Sequence, residues 1–164
     1  MKKKKGKAKT AGMSRESRNT ALLVKNPIWR ALVKQEPVSE QSRTSVGLAS
    51  RKALYALSEG EGAFEHVKEL LVAAHLAIYL AEQGYGPDLI EDLVAAKRDL
   101  LACLVRVRDG LPYSLSQEER TRIGELLRMH EQQLELADRG VYSAAILESY
   151  KRTSAALTRE LSAE

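Results

Sequence analysis

The chain has 164 residues, of which 44% are hydrophobic, 29% charged and 5% aromatic, and it contains one cysteine. These values are typical of one globular domain with a charged tail, and they exclude a disulfide-stapled fold because Cys103 has no second cysteine to pair with. The longest apolar stretch, 70–81, is far shorter than the ~20 residues that span a bilayer. No apolar segment follows the first lysines, as it would in a signal peptide. We therefore expect a cytoplasmic protein without a membrane span.

The charge is divided unevenly along the chain. Residues 1–52 contain 14 Lys and Arg against three Glu, a net charge of +11. Residues 53–164 contain 12 Lys and Arg against 19 Asp and Glu, a net charge of −7. This asymmetry within a total of +4 is the clearest physical feature of the sequence.

Residues 1–19 are predicted to form a disordered basic arm, because they offer too little apolar surface to offset the entropy of ordering them. Such an arm can contact nucleic acid without sequence preference, since cations that meet phosphates release counterions. The candidate nucleic-acid-binding residues are Lys2, Lys3, Lys4, Lys5, Lys7, Lys9, Arg15 and Arg18. A solubilising role, or contact with an acidic protein or a membrane surface, remains an open alternative.

Residues 20–41 are predicted to hold a short docking helix and a linker. Asn26 followed by Pro27 is typical of a helix N-cap with proline at the first helical position, which predicts a helix over 27–34. Ile28, Trp29 and Arg30 are the candidate partner-binding residues, because a tryptophan outside the bundle can anchor a protein partner. The alternative is that Trp29 closes the protein's own core.

Residues 42–164 are predicted to form a helical bundle. Apolar residues recur at spacings of three and four, and no alternating β-branched run supports a sheet. The pattern predicts helices over about 42–57, 63–83, 88–108, 116–139 and 143–161. The expected fold is all-α, an antiparallel bundle of two helical hairpins plus one or two N-terminal helices. On the last helix the residues expected to face inward are Ile146, Leu147, Tyr150, Leu157 and Leu161.

Capping residues and glycines mark several of the predicted helix ends. Ser116 and Glu119 have the spacing of a capping box, and Gly84 and Gly140 are expected to end their helices. A shift of 56 residues aligns 67–101 with 123–157 and pairs Gly84 with Gly140. This internal echo predicts that both hairpins use the same turn, although similar helix-end chemistry could arise without a repeat.

No catalytic or metal-binding motif is found. His66, His75 and His130 lack the spacings of metal ligands, and the signatures of a nucleophile or of a phosphate-binding loop are missing. His75 is expected to be a satisfied, partly buried histidine, and Cys103 to be inert packing. Arg120, Arg122 and Arg128 share their surface with glutamates, so we do not expect that helix to read a DNA groove. We expect a protein that is not an enzyme and takes no cofactor or metal.

Three stretches resemble a known group of proteins. They are Ala74–Gly86 (AHLAIYLAEQGYG), His130–Leu134 (HEQQL) and Tyr150–Arg152 (YKR). They are similar to small all-helical proteins of proteobacteria and their mobile elements that are commonly labelled Fis-type transcriptional regulators. The resemblance covers about residues 45–155 and implies a bacterial protein of plasmid or phage origin.

Two functional hypotheses follow. The first is a non-enzymatic binding protein whose basic arm contacts DNA or RNA while the bundle engages a protein partner or a second copy of itself. The second is a protein–protein interaction module, such as a phage or plasmid encoded inhibitor or assembly factor, in which Ile28 and Trp29 are the anchors and nucleic acid is not bound.

Overall fold

The computed structural model describes residues 36–162, which contain five α-helices and no strand. The helices are α1 (Glu40–Ser58), α2 (Phe64–Glu82), α3 (Ile90–Arg108), α4 (Gln117–Leu136) and α5 (Arg139–Ser162), with a short 3-10 turn at Pro87–Leu89 before α3. For this part of the chain the prediction of an all-α fold is confirmed. None of these helices is both long and apolar enough to cross a membrane.

Helix α1 begins two residues earlier than the sequence predicts. Ser39 caps it by accepting a hydrogen bond from the backbone N–H of Ser42 at 3.2 Å. The residues before the cap already belong to the folded body, because Val38 is buried and Pro37 forms a β-bridge with Asp138. The chain therefore enters the bundle beside the start of α5.

Helix α2 lies at the centre of the fold, and each of the other four helices packs against it. Its apolar stretch is buried almost all round, as expected for a helix without a solvent face. Most of the buried apolar residues form one large cluster among α1, α2, α3 and α4, to which α5 adds Leu157. A smaller cluster around Leu80, Leu134 and Tyr142 lies at the end of the bundle where the chain enters.

The predicted capping box at the start of α4 is confirmed. The Ser116 hydroxyl accepts from the backbone N–H of Glu119 at 3.2 Å, and the Glu119 carboxylate accepts from the backbone N–H of Ser116 at 2.7 Å. Gly84 is also confirmed as a turn residue, since its φ of +97° lies in the left-handed region that favours glycine.

The prediction that Gly140 ends a helix is wrong. Helix α4 ends at Leu136, and Gly140 lies in the first turn of α5. The reversal is made by Asp138, whose side chain accepts from the backbone N–H of Val141 at 2.9 Å and thereby caps α5. The chain therefore reverses direction at Gly84 and at Asp138 by different means. The alignment of 67–101 with 123–157 does not correspond to a repeated turn.

The inward face predicted for α5 is also partly wrong. Leu147, Tyr150 and Leu161 are 51%, 57% and 55% exposed. The buried face contains small and polar residues that apolar periodicity does not detect, and it consists of Tyr142, Ala145, Ser149, Thr153 and Leu157.

The arrangement as two hairpins is not confirmed. Helices α2 and α3 pack closely against each other, as a hairpin requires, but α5 packs mainly on α2, and α4 packs on α1, α2 and α3 alike rather than on α5. Short connections bring neighbouring helices close, yet the buried surface of the central helix decides which faces meet.

Candidate functional site

The residues predicted to bind partners all lie outside the described residues. These are the eight cations Lys2, Lys3, Lys4, Lys5, Lys7, Lys9, Arg15 and Arg18, and the three docking residues Ile28, Trp29 and Arg30. The structure therefore brings none of them together, and it tests neither the arm nor the helix predicted over 27–34.

The described body is acidic, and most of its cations are already paired. Residues 36–162 contain 15 Lys and Arg against 20 Asp and Glu, a net charge of −5. Nine of the 15 cations form ion pairs within the body, and they are Arg51, Lys68, Arg106, Arg108, Arg122, Arg128, Arg139, Lys151 and Arg152. A paired cation is a poor phosphate ligand, because its neighbouring carboxylate repels the phosphate.

The outer face of α4 illustrates this pairing. Arg122 bonds the Asp99 carboxylate at 2.6 Å, and Arg128 bonds Glu125 at 2.7 Å. Arg120 is directed to the carbonyl of Ser58 at 3.4 Å. All three cations of this face are thus engaged inside the molecule.

An open groove of about 700 Å³ runs between α3 and α4. Carboxylates and cations alternate along it, with Asp92, Glu118 and Glu125 beside Arg122 and Arg128. The groove contains neither a histidine nor a cysteine.

A second group of cations was not singled out by the sequence. Lys97 and Arg98 on α3 and Arg159 on α5 form no ion pair with any described residue, and the positive charges of Arg98 and Arg159 both act on Lys97. The seam between these two helices is fixed by Arg108, whose guanidinium donates to the carbonyl of Glu160 at 3.2 Å. We call Lys97, Arg98 and Arg159 the seam cations.

Arg152 stands beside the seam cations and is fully engaged. Its guanidinium bonds both carboxylate oxygens of Glu82, at 2.8 and 2.9 Å, and donates to Glu148 at 3.1 Å. It also lies over the ring of Tyr79, 5.6 Å from the centroid. These carboxylates raise the pKa of Arg152; Glu82 is paired with Arg152, and Glu148 is paired with both Arg152 and Lys151.

The pKa of Lys97 is sensitive to the neighbouring arginines. Burial lowers the pKa of Lys97, and the positive charges of Arg152, Arg98 and Arg159 lower it further, against a smaller opposing effect of Glu82. The spacing of seven between Arg152 and Arg159 does place both on one face of a helix. The sequence could not show that α3 brings Lys97 near that face.

An apolar stripe lies on the opposite flank of α5. Leu147, Tyr150 and Leu161 are all more than half exposed. At 100° per residue these three side chains lie on one side of the buried face of α5, and Arg152 and Arg159 lie on the other side. The two surfaces are therefore separate.

Cys103 and two of the three histidines, His75 and His130, are buried. Cys103 is fully buried, and burial raises the pKa of its thiol, which keeps it protonated and inert. His75 is buried with its Nδ1 2.9 Å from the Thr153 hydroxyl, which confirms that it is satisfied. Within 36–162, no group of His, Cys, Asp and Glu side chains is arranged to hold a metal ion.

Comparison with protein families, curated proteins and solved structures finds no match for this chain. The functional argument therefore depends on the charges and surfaces described above.

Proposed function

We propose that this chain is a non-enzymatic nucleic-acid-binding protein, in which the cationic N-terminal segment contacts the phosphate backbone and the acidic helical body engages a protein partner or a second copy of itself. One observation carries the proposal, the division of charge. Residues 1–35 hold 11 Lys and Arg against one Glu, whereas the body has a net charge of −5 and uses most of its own cations in ion pairs. A polyanion is therefore attracted mainly to the N-terminal segment.

The proposal includes features expected from the sequence. It takes the protein to be cytoplasmic and bacterial, in keeping with the resemblance to proteins labelled Fis-type regulators. It also takes the body to be an antiparallel bundle of two hairpins preceded by one or two helices, with α1 as one of these.

The experiment replaces all eight candidate cations of residues 1–18 by serine in the full chain. Binding to a duplex DNA of random sequence and to an RNA of the same length is measured by fluorescence anisotropy over a range of salt concentrations. If all eight cations meet phosphates, the slope of log K against log salt is about −7, since each contact contributes about −0.9 on duplex DNA. The serine variant is expected to lose most of this slope.

A control variant keeps the N-terminal segment and removes charge from the body, by changing Lys52, Lys68 and Arg128 to glutamine. It is expected to bind nucleic acid nearly as the unchanged protein does. An affinity that survives the loss of all eight N-terminal cations would contradict the proposed role of the segment.

A second candidate function is protein binding without nucleic acid, and the apolar stripe on α5 favours it. Exposed apolar side chains aligned on one helix face are typical of interaction surfaces. Changing Leu147 and Tyr150 to serine should then abolish self-association or partner capture, measured by sedimentation equilibrium and by pull-down. The matched control changes Leu111 and Tyr55, which are similarly exposed elsewhere, and should have no effect. The Trp29→Ala variant tests the docking helix in the same assays.

A further inference from the structure

An open groove of about 410 Å³ lies between α1 and α4. One wall is the stretch of α1 from Glu40 to Leu48, and the other contains Glu131, Leu134 and Glu135 of α4. Leu48 is 53% exposed. Beside it, Gly47 leaves the helix backbone bare, and a Cβ added there would meet the Glu131 carboxylate at 3.3 Å. An exposed leucine next to bare backbone allows a second helix to approach closely.

The groove is acidic. The described residues that line it include three carboxylates and one cation, Arg43. Glu131 is bonded to Arg51 at 2.7 Å. Glu40 and Glu135 are exposed, and neither forms an ion pair with a described residue. The groove therefore attracts a cationic ligand that also carries apolar side chains.

The chain enters the body at one end of this groove. The backbone carbonyl of Glu36 accepts from the N–H of Arg139 at 2.7 Å, and Pro37 forms a β-bridge with Asp138. These contacts lie directly before the start of α1 and directly after the end of α4. The residues that precede Glu36 are therefore tethered beside the groove.

The segment next to this tether has the matching chemistry. Residues 25–34 contain three cations, Lys25, Arg30 and Lys34, and no acid. In the helix that the sequence predicts over 27–34, Ile28, Trp29, Leu32 and Val33 share one face, and Arg30 and Lys34 lie at the edge of that face. Eight helical residues are about 12 Å long, and the part of α1 that lines the groove has the same length.

We propose that residues 25–34 of this chain dock in the groove between α1 and α4, with their apolar face against Leu48 and Gly47 and their cations beside Glu40 and Glu135. The proposal does not rest on nucleic-acid binding, because none of the eight cations of residues 1–18 takes part in it. It assigns Trp29 to a contact within the molecule.

The fluorescence of Trp29 reports the docking, because it is the single tryptophan of the chain. In the full chain at low salt, its emission should be blue-shifted and poorly quenched by acrylamide. The groove variant, with Glu40→Gln, Leu48→Ser and Glu135→Gln, loses two charge contacts and one apolar contact. It is expected to weaken docking by about tenfold, which shifts the emission to the red and increases quenching.

The matched control carries Glu91→Gln, Leu111→Ser and Glu61→Gln. Glu91 lies in the first turn of α3 as Glu40 does in that of α1, and Leu111 and Glu61 are exposed elsewhere. The control should leave the emission of Trp29 unchanged. Circular dichroism checks that both variants keep the helical body. Equal shifts in the two variants, or no shift in the groove variant, would overturn the docking site.

Charge reversal tests the contact itself. Changing Lys25, Arg30 and Lys34 to glutamate should shift the emission to the red, because like charges then face each other across the groove. Adding Glu40→Lys and Glu135→Lys to the same chain should restore the blue-shifted emission. Failure of this rescue would contradict the pairing of the segment with the groove.

Protein concentration distinguishes the other possible occupants. Docking within one molecule gives the same emission at low and at high concentration. A blue shift that develops only at high concentration would show that the groove receives the segment of a second copy, which would refute docking within the chain. Emission typical of a solvent-exposed tryptophan at every concentration would refute it as well and would leave the groove to a different protein.

Discussion

Two interfaces of the central helix α2, which we call its seams with α5 and with α4, differ in the hydrogen bonding of their buried polar groups. Between α2 and α5, His75 is hydrogen-bonded to Thr153, and the Ser149 hydroxyl donates to the carbonyl of Ile146 at 2.8 Å. Around α4, where α1 and α2 pack, both ring nitrogens of His130 and the hydroxyl of Ser50 are buried without a hydrogen-bond partner. A buried polar group without a partner costs roughly 1–3 kcal/mol. The buried histidine of the seam with α5 is therefore paired and that of the seam around α4 is not, although the side-chain amide of Gln133 on α4 donates to the carbonyl of Ala77 on α2 at 3.0 Å.

Acid should have the largest effect, and it should act on both seams, because burial lowers the pKa of His75 to about 4 as it does that of His130, and the charges of Lys97 and Arg152 lower that of His75 further. Burial lowers the pKa of His130 to about 4, against smaller opposing effects of Gln133 and Glu131, and the unfolded chain titrates near 6.5. The unfolded state then binds more protons between these values, so the stabilisation is present above about pH 6.5 and is lost as the pH falls towards 4. This loss is about 3 kcal/mol for each of the two buried histidines. Denaturant unfolding at pH 7 and at pH 4.5 measures it.

The His130→Leu variant separates the two seams in that experiment. It removes the titrating group and two unpaired nitrogens, so it should be at least as stable as the unchanged protein at pH 7 and lose less stability in acid. His75→Leu is the matched change in the other seam, and it should destabilise the protein at pH 7 because it leaves the Thr153 hydroxyl unpaired. A His130→Leu variant with an unchanged pH profile would contradict the assignment of the acid sensitivity to His130.

The next largest effect on stability is expected from removing a buried hydroxyl group, at Thr153 or at Ser50. Thr153→Val keeps the volume and removes the partner of His75, so the free energy of unfolding should fall by about 1–2 kcal/mol. Ser50→Ala deletes a buried hydroxyl that has no partner, so it should raise the free energy of unfolding, by about 1 kcal/mol. Both values come from chemical denaturation at pH 7. Equal losses for the two variants would show that the hydrogen bond to His75 does not distinguish the seams.

The sequence predicted the features that depend on apolar periodicity and missed those that depend on buried polar side chains. Periodic leucines and alanines located every described helix, since an apolar stripe must be buried, and the capping box at Ser116 needed only local spacing. The buried face of α5 was misjudged because Ser149 and Thr153 are buried by hydrogen bonds and close packing rather than by hydrophobicity. Gly140 was misassigned because the reversal depends on the side chain of Asp138 and on its contact with Tyr85.

The seam cations were missed for a related reason. The positions of Arg152 and Arg159 on one face of α5 follow from their spacing, but the approach of Lys97 depends on how α3 packs beside α5. Such contacts between helices distant in sequence are set by the whole core. A single sequence therefore predicts which residues share a helix face and leaves open which faces meet.

The connection that follows α2 joins the two seams and yields the smallest expected effect. The carbonyl of Tyr85 accepts from the side-chain amide of Gln133 at 2.8 Å, and its hydroxyl donates to Asp138 at 2.9 Å, so one residue contacts α4 and the cap of α5 together. Gly84 before it has a φ of +97° and no atom near its missing Cβ, so Gly84→Ala tests the backbone conformation alone. We expect a loss of about 1 kcal/mol.

Gly124→Ala is the control for that change. Gly124 lies in the middle of α4, and an added Cβ would meet only Leu54, at an ordinary distance of 3.9 Å. Alanine there should stabilise the protein by roughly 0.5–1 kcal/mol, because glycine is a poor residue in a helix interior. Opposite signs for the two variants in thermal unfolding would locate the conformational requirement in the connection that joins the seams. Stabilisation by both would mean that Gly84 does not need its left-handed conformation, and that Tyr85 is positioned by its hydrogen bonds to Gln133 and Asp138.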